Sequence, residues 1–440
     1  MEAGVAVVDI TPPIPFRMSG YFEERVSTGM KDPLQAKVIV FRQGDQSAAL
    51  VFCDLIGIPL AVTAPAREQA SNATGIPADH IGIAATHTHT GPLFFDCLRN
   101  HFHQRSIERL GKDPYETIDY PAELIAKIVA AVVKAKANLR PVALKSGAAD
   151  ETRIAFNRRF HMKDGTVRFN PGELNSNIIR PAGPVDPEVG IITLTPPGAA
   201  QPSAAIVSFA MHLDTMSGTE YSADYPKHCE DQLREKCGPD FTLLFGTGTC
   251  GDINHIDVST RERRKAPELG RMLGETVAAA MNRVEPAAAD GPGLAVRTVK
   301  VDAPMQSYSP GEIADATNKL DLVGTRQLPF LEQVKACKIL NVQLKNGGKL
   351  PLEVQAFRLN GDTAIVTLPG EVFVELGLAI KRQSPFKNTL VIELANNALA
   401  YIPTKRAFAE GSYETVNSQI EPGVGEQLVE AAAGLLKELR

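Results

Sequence analysis

The absences in this sequence narrow its role first. Its six cysteines (Cys53, Cys97, Cys229, Cys237, Cys250 and Cys337) show no CxxC spacing. That argues against a thiolate zinc site and a dense disulfide framework, and leaves free buried thiols. There is no long run of lysine or arginine, and a net charge of -5 gives no electrostatic footprint for nucleic acid or an anionic membrane. No apolar stretch approaches the length of a membrane-spanning helix, and the start, MEAGVAVVDITPP, has no basic segment followed by an apolar core. As it stands the chain reads as soluble and cytoplasmic, with secretion or periplasmic export following if a leader has been removed. Also missing are a Gly-x-Ser-x-Gly elbow, a Gly-Lys-Ser/Thr phosphate loop, tryptophan, internal repeats and a low-complexity tail.

What is present is a chain of 440 residues, 44% hydrophobic, enough for one large unit or two to three ordinary domains. Short β-branched runs at 4–11, 37–42 and 48–55 predict strands, and 61–73 predicts a helix before the apolar run HIGIAATHTHT. Helical spacing over 121–139 is clear, whereas 94–120 is polar and reads as a loop or short helical cap. Strands at 204–215 and 241–253 flank a helix at 225–237, followed by a helix over 265–284. The run EPAAADGPG (285–293) reads as a linker. Strands then fall near 293–303, 352–360, 363–370 and 388–397, with helices near 312–321, 371–383 and 425–440. The expected fold is α/β: a single large mixed-sheet catalytic domain over 1–440 flanked by helices, in which residues 294–440 form a subdomain that completes the active site.

The chemistry-bearing residues stand at the ends of apolar runs. His87 and His89 in ATHTHTGP, read as strand, alternate onto one face, so two imidazoles meet one cavity. His212 ends AAIVSFAMH, and Glu371 follows the Pro-Gly break of AIVTLPG. The ordinary role for Glu371 is an acid in the first turn of the following helix. In FGTGTCGDINHI, glycines precede Asp252, Asn254 and His255, residues that also suit a tight turn. Two histidines and a carboxylate with one open position resemble a catalytic zinc site, in which the metal activates water and polarises a carbonyl.

The ordered set GVAVVDITPP, MSGYF, DPLQAK, ATHTHTGP, AFNRR, FAMH, GTCGDINH, TLPGE and NNALAYIPTKRAFAEGSYE resembles the neutral, non-lysosomal ceramidase family, in its N-terminal catalytic domain, across nearly the whole chain. The resemblance implies that His87, His212, Glu371 and Tyr401 hold one Zn2+. It implies that His89 faces the activated water or the developing oxyanion, and that Arg158 and Tyr413 line the carbonyl pocket. It departs from the family where Asn254 replaces the serine assigned a catalytic part, since an amide cannot become an alkoxide nucleophile. Asp252, His255 or His89 would then handle protons. The family's C-terminal immunoglobulin-like domain is expected to be absent, and the segment after Gly91-Pro92 is charged rather than glycine-rich. These departures admit a smaller N-acyl amide, an ester or a peptide-like bond in place of ceramide.

The expectation is thus a zinc-dependent hydrolase of a linear amide in lipid metabolism, with metal-activated water attacking the carbonyl. The alternatives are a metal-dependent esterase or lactonase on the same site, and a non-catalytic zinc- or ligand-binding relative inactive through Asn254. The expected partner is a small N-acyl or ester substrate, with no nucleic acid and no membrane-spanning segment; a homo-oligomer is compatible with this reading.

Overall fold

Three sheets, each with a helical layer on its outer face, organise the chain. The computed structural model describes residues 1–286, 291–345 and 348–440. The first sheet orders strands Ile81–Ala85, Gln46–Cys53, Gln35–Gln43, Glu2–Asp9 and Arg140–Pro141. The second orders Thr242–Thr247, Ala204–Phe209, Glu188–Thr195, Ala143–Asp150 and Glu285–Pro286. The third orders Ala295–Pro304, Lys349–Arg358, Thr363–Thr367 and Asn388–Ile392. The expected linker overlaps the second sheet, because Glu285–Pro286 pairs with Ser146 and Lys145; its residues 287–290 lie outside the described residues.

Each sheet ends in one parallel pair joined through a helix. Gln46–Cys53 and Ile81–Ala85 are linked by the helix Leu60–Thr74. Ala204–Phe209 and Thr242–Thr247 are linked by Tyr225–Cys237, and Thr363–Thr367 and Asn388–Ile392 by Val374–Gln383. A parallel pair buried on both faces explains the uninterrupted apolar runs AALVFC, AAIVSF and TAIVT. Ligands in open α/β sheets bind beyond the carboxyl ends of such strands, and all three carboxyl ends converge on one region here.

The inner faces of the three sheets share one apolar core, including Phe41, Leu50, Ile192, Ile206, Phe357 and Ile392. The outer faces pack on helices: Leu60–Thr74 and Tyr120–Ala137 over the first sheet, Tyr225–Cys237 and Ala266–Ala280 over the second, Val374–Gln383 and Val424–Leu439 over the third. Residues 295–440 therefore contribute a full third of this arrangement and share its central core.

Two long helices depart from the sequence expectation, as do the short helices Lys405–Glu410 and Tyr413–Asn417. Residues 94–120 contain a 15-residue helix, Asp96–Leu110, where a loop or short cap was expected; only Cys97, Leu98 and Phe102 of it are buried, too few for a readable apolar stripe. Phe330–Leu344 is a helix in a stretch without an assigned element, and it packs on Asp96–Leu110.

Asp54 ties the first sheet to the site. Its carboxylate accepts from Gln35 N at 2.9 Å and Thr86 Oγ1 at 3.2 Å, and Thr86 immediately precedes His87. Burial lifts this carboxyl to about 7 against the pull of Lys37. A folded-state pKa above the unfolded value means that ionisation costs the folded protein: stability is greatest below the unfolded pKa of 3.8 and falls as pH rises towards 7. Asp54→Asn keeps a donor and an acceptor without that charge. Its stability relative to wild type is expected to improve by about one to a few kcal/mol between about pH 4 and about pH 8, read from urea midpoints. A difference independent of pH would show that Asp54 is ionised in the fold at no cost.

Candidate metal centre and active site

His87 does not lie in a strand: the strand stops at Ala85, and His87 has φ 80, in the left-handed region. The expectation that strand alternation presents both histidines to one side is therefore corrected. A turn presents them, with His87 N donating to Leu55 O and His89 N to Leu213 O, and the two rings are 5.1 Å apart edge to face. Gly20 makes room for this turn, since a Cβ there would sit 2.7 Å from the His89 Cβ. His212 follows Ala204–Phe209. Glu371 is not in a helix: the helix begins at Val374, and Glu371–Val372 forms a two-residue parallel ladder with Tyr401–Ile402. The helix-dipole role for Glu371 is thus removed, and the ladder sets Tyr401 opposite Glu371. Gly251 permits this close approach, because a Cβ there would meet Glu371 O at 2.6 Å.

Three ligand-type atoms converge. His87 Nε2 and His212 Nε2 are 3.1 Å apart, and Glu371 Oε2 lies 3.3 Å from the first and 3.4 Å from the second. His87 Nδ1 sits 2.7 Å from Ile56 O and His212 Nδ1 3.0 Å from Cys250 O. Each Nδ1 must carry a proton to make that bond, so in the neutral rings both Nε2 lone pairs point at one another and at a carboxylate oxygen without a hydrogen-bond partner. Three buried lone pairs at such spacing require a proton or a cation between them. Zinc–nitrogen bonds of about 2.0–2.1 Å give tetrahedral edges of roughly 3.3–3.4 Å, so this donor set fits a zinc ion. Without a cation, His87 is raised above its ordinary value: burial opposes this, and the Glu371 carboxylate more than offsets it. Burial and the neighbouring Arg158 and His87 push His212 down to about 4.

Tyr401 joins the cluster from the side, its ring stacked on His212 at 6.5 Å and set against Tyr413 at 5.4 Å. The cluster forms the base of a chamber of about 480 Å³ lined by His87, His89, Glu371, Tyr401 and Tyr413 together with apolar side chains. Both ring nitrogens of His89 are buried without a partner, and burial with His87 nearby pulls it down to about 3. Tyr413 is clasped between Phe169 at 4.7 Å and Phe330 at 5.5 Å.

The other candidates stand behind this surface. Arg158 is buried, donates to Glu414 Oε1 at 2.9 Å and Gly251 O at 2.8 Å, and lies over the rings of Tyr401 and Tyr413. Asp252 accepts from Val374 N and Asn157 Nδ2. Asn254, fully buried, donates to Asn170 Oδ1 at 3.0 Å and accepts from Ile256 N at 3.0 Å, so its amide is engaged within the framework. His255 Nδ1 faces Asp214 Oδ1 at 3.3 Å.

Two further acids stand near the ligands, and only Glu393 is bonded to the residues that carry them. Glu393 accepts the Cys250 thiol at 3.1 Å and Val372 N at 2.6 Å, linking the residue whose carbonyl orients His212 to the neighbour of Glu371. Asp214, two residues after His212, is held well below the usual carboxylate range: burial opposes this, but His255, His212 and His89 outweigh it. The available hint for Glu393 is a lone acid ending the apolar strand LVIE. A second His/acid group, His103, Asp113 and Glu116, is already neutralised by Arg17 and Arg99, and its chemistry does not call for a metal.

No protein-family model and no curated protein sequence matches the chain. Among solved structures, it is similar to neutral ceramidase from Pseudomonas aeruginosa, with TM-score 0.73 and 17% identity over 100% of this chain and 74% of that one. It is similar also to a ceramidase complexed with C2, at the same TM-score and identity over 100% of this chain and 75% of that one. The chain thus has the fold of these ceramidase structures.

Proposed function

We propose that this protein is a zinc-dependent hydrolase of a linear N-acyl amide bond. The observation that carries the reading is the mutual approach of His87 Nε2, His212 Nε2 and Glu371 Oε2 at 3.1–3.4 Å, beneath a chamber open to a substrate. With Tyr401 beside them, these side chains would hold the ion. When bound, zinc supplies Lewis acidity, which polarises a carbonyl and brings the pKa of water towards neutrality.

The chain's own groups do the rest. The Ile56 and Cys250 carbonyls fix the tautomers of His87 and His212, leaving Nε2 free to coordinate. His89, with neither nitrogen engaged, takes a proton from the attacking water and returns one to the departing nitrogen as the C–N bond breaks. Tyr413, held by two aromatic rings, donates its O–H to the carbonyl oxygen as negative charge develops there. Asp252 and Asn254 act on the framework, their polar atoms being taken up by backbone and side-chain partners. No serine is required.

The test is turnover of a matched pair, an N-acyl amide and the ester of the same acid, with metal removed by chelation and zinc restored. Amide cleavage that disappears and returns with zinc supports the reading. Cleavage of the ester alone would favour the esterase alternative, and turnover indifferent to chelation would end the metal assignment.

A further inference from the structure

The chamber has a second polar station away from the histidines. Lys345 lines it at the end of the helix Phe330–Leu344, and Asn341 lies one turn earlier on the same helix face. Among the described residues no acid comes within ion-pair distance of Lys345. Partial burial pulls its ammonium below the ordinary lysine value, and the nearby Asp96 carboxyl offsets this only in part. Asp96, the acid acting most on it, commits Oδ1 to Leu98 N at 2.8 Å and Arg99 N at 3.1 Å, where it opens the helix Asp96–Leu110. Asn341 spends its Oδ1 on Cys97 N at 2.9 Å, which leaves its NH2 as a donor.

Around these donors the wall carries Leu60, Leu98, Leu344 and Leu350, and the Asp96 carboxyl lines the same chamber. On the same chamber, Gln419 is only 4% exposed and its Oε1 has no hydrogen-bond partner, so it lacks a donor. A chamber with a ligand cluster at its base, a largely apolar wall, an orphaned acceptor at Gln419 and an ammonium without an ion-pair partner beside a free amide NH2 asks for a particular molecule. It needs an apolar arm, an N–H, and an anion that two donors can share.

We infer that the substrate arm filling this chamber carries a carboxylate, received by Lys345 and Asn341, while Gln419 accepts the N–H of the scissile amide. This rests on the amide-hydrolase reading for the reaction, although the anion station can be probed by binding alone. A hydrogen-bonded charge pair in a partly desolvated wall is worth about a tenfold preference or more.

The experiment uses the zinc-loaded protein and two readouts. Calorimetry compares octanedioate with its monomethyl ester and with octanoate. Octanedioate is expected to bind at least about tenfold more tightly than the ester, with the preference lost in Lys345→Met and partly kept in Lys345→Arg. Equal affinities in wild type, or a preference that survives in Lys345→Met, would overturn the inference. Kinetics then compares N-acyl amides with and without the distal carboxylate. Cleavage of both at the same kcat/KM overturns the inference and leaves the hydrolase reading standing. Tight octanedioate binding without cleavage of any amide supports the anion station and removes the hydrolase reading.

Discussion

His212→Ala and Glu371→Gln are each expected to lower zinc from one equivalent to a trace and amide turnover by about a thousandfold or more, while the protein stays folded. The scale follows from coordination: loss of partners that merely orient ligands costs 10–100-fold in metal affinity or activity, and losing a ligand removes a bond outright. Folding should survive because His212 and Glu371 crowd three buried lone pairs together, an arrangement that the metal-free protein tolerates only at a cost. Glu393→Ala separates the two tiers. It touches neither histidine, yet frees the Cys250 thiol and Val372 N–H, so zinc should bind about 10–100-fold more weakly without being abolished. Elemental analysis and chelator competition read all three variants. Full zinc content in His212→Ala or Glu371→Gln would remove that residue from the coordination set.

The order of the three parallel units was legible because apolar runs closed by a polar residue look alike wherever strands are buried on both faces, as in AAIVSFAMH and AIVTLPGE. The environment at the end of those runs was not legible. Strand alternation gave a plausible reason for His87 and His89 to share a cavity, but the strand ends two residues early and a left-handed turn does the work. Glu371 could be read as a helix-opening acid because the two-residue ladder to Tyr401 is too short to leave a pattern. For the same reason no periodicity could nominate Tyr401, which entered through family resemblance.

Partners distant in sequence hide the rest. Glu393 works through Cys250, 143 residues away, and nothing local to either residue announces the pairing. The helices Asp96–Leu110 and Phe330–Leu344 escape notice because each buries an irregular set of side chains against the other and the chamber rather than a regular stripe against a sheet. The wall that the inference about Lys345 depends on is therefore the part of the site that spacing rules describe least well.

Glu414→Ala is expected to destabilise the protein by about 3–5 kcal/mol, a large share of the roughly 5–15 kcal/mol that folded proteins possess. Glu414 is fully buried, 2.9 Å from Arg158 Nε and 3.4 Å from Arg159 Nε, and both arginines are almost completely buried. Deleting it leaves Arg158 with a carbonyl partner but no counter-ion, while Arg159 retains Glu410 at 3.3 Å. The stability loss comes mainly from that orphaned charge, because the attraction within a buried pair is largely offset by the cost of desolvating it. A double replacement, Arg158→Met with Glu414→Leu, should therefore recover most of the urea midpoint lost by Glu414→Ala. Activity should not return with it. Arg158 braces the rings of Tyr401 and Tyr413 and caps the Gly251 carbonyl beside Glu371, so the double variant should bind zinc yet show a reduced kcat. If the double variant is as unstable as Glu414→Ala, the buried charge is not the source of the loss. If its kcat equals wild type, Tyr413 holds its place without Arg158, and the carbonyl-facing role proposed for that tyrosine rests on the Phe169 and Phe330 rings alone.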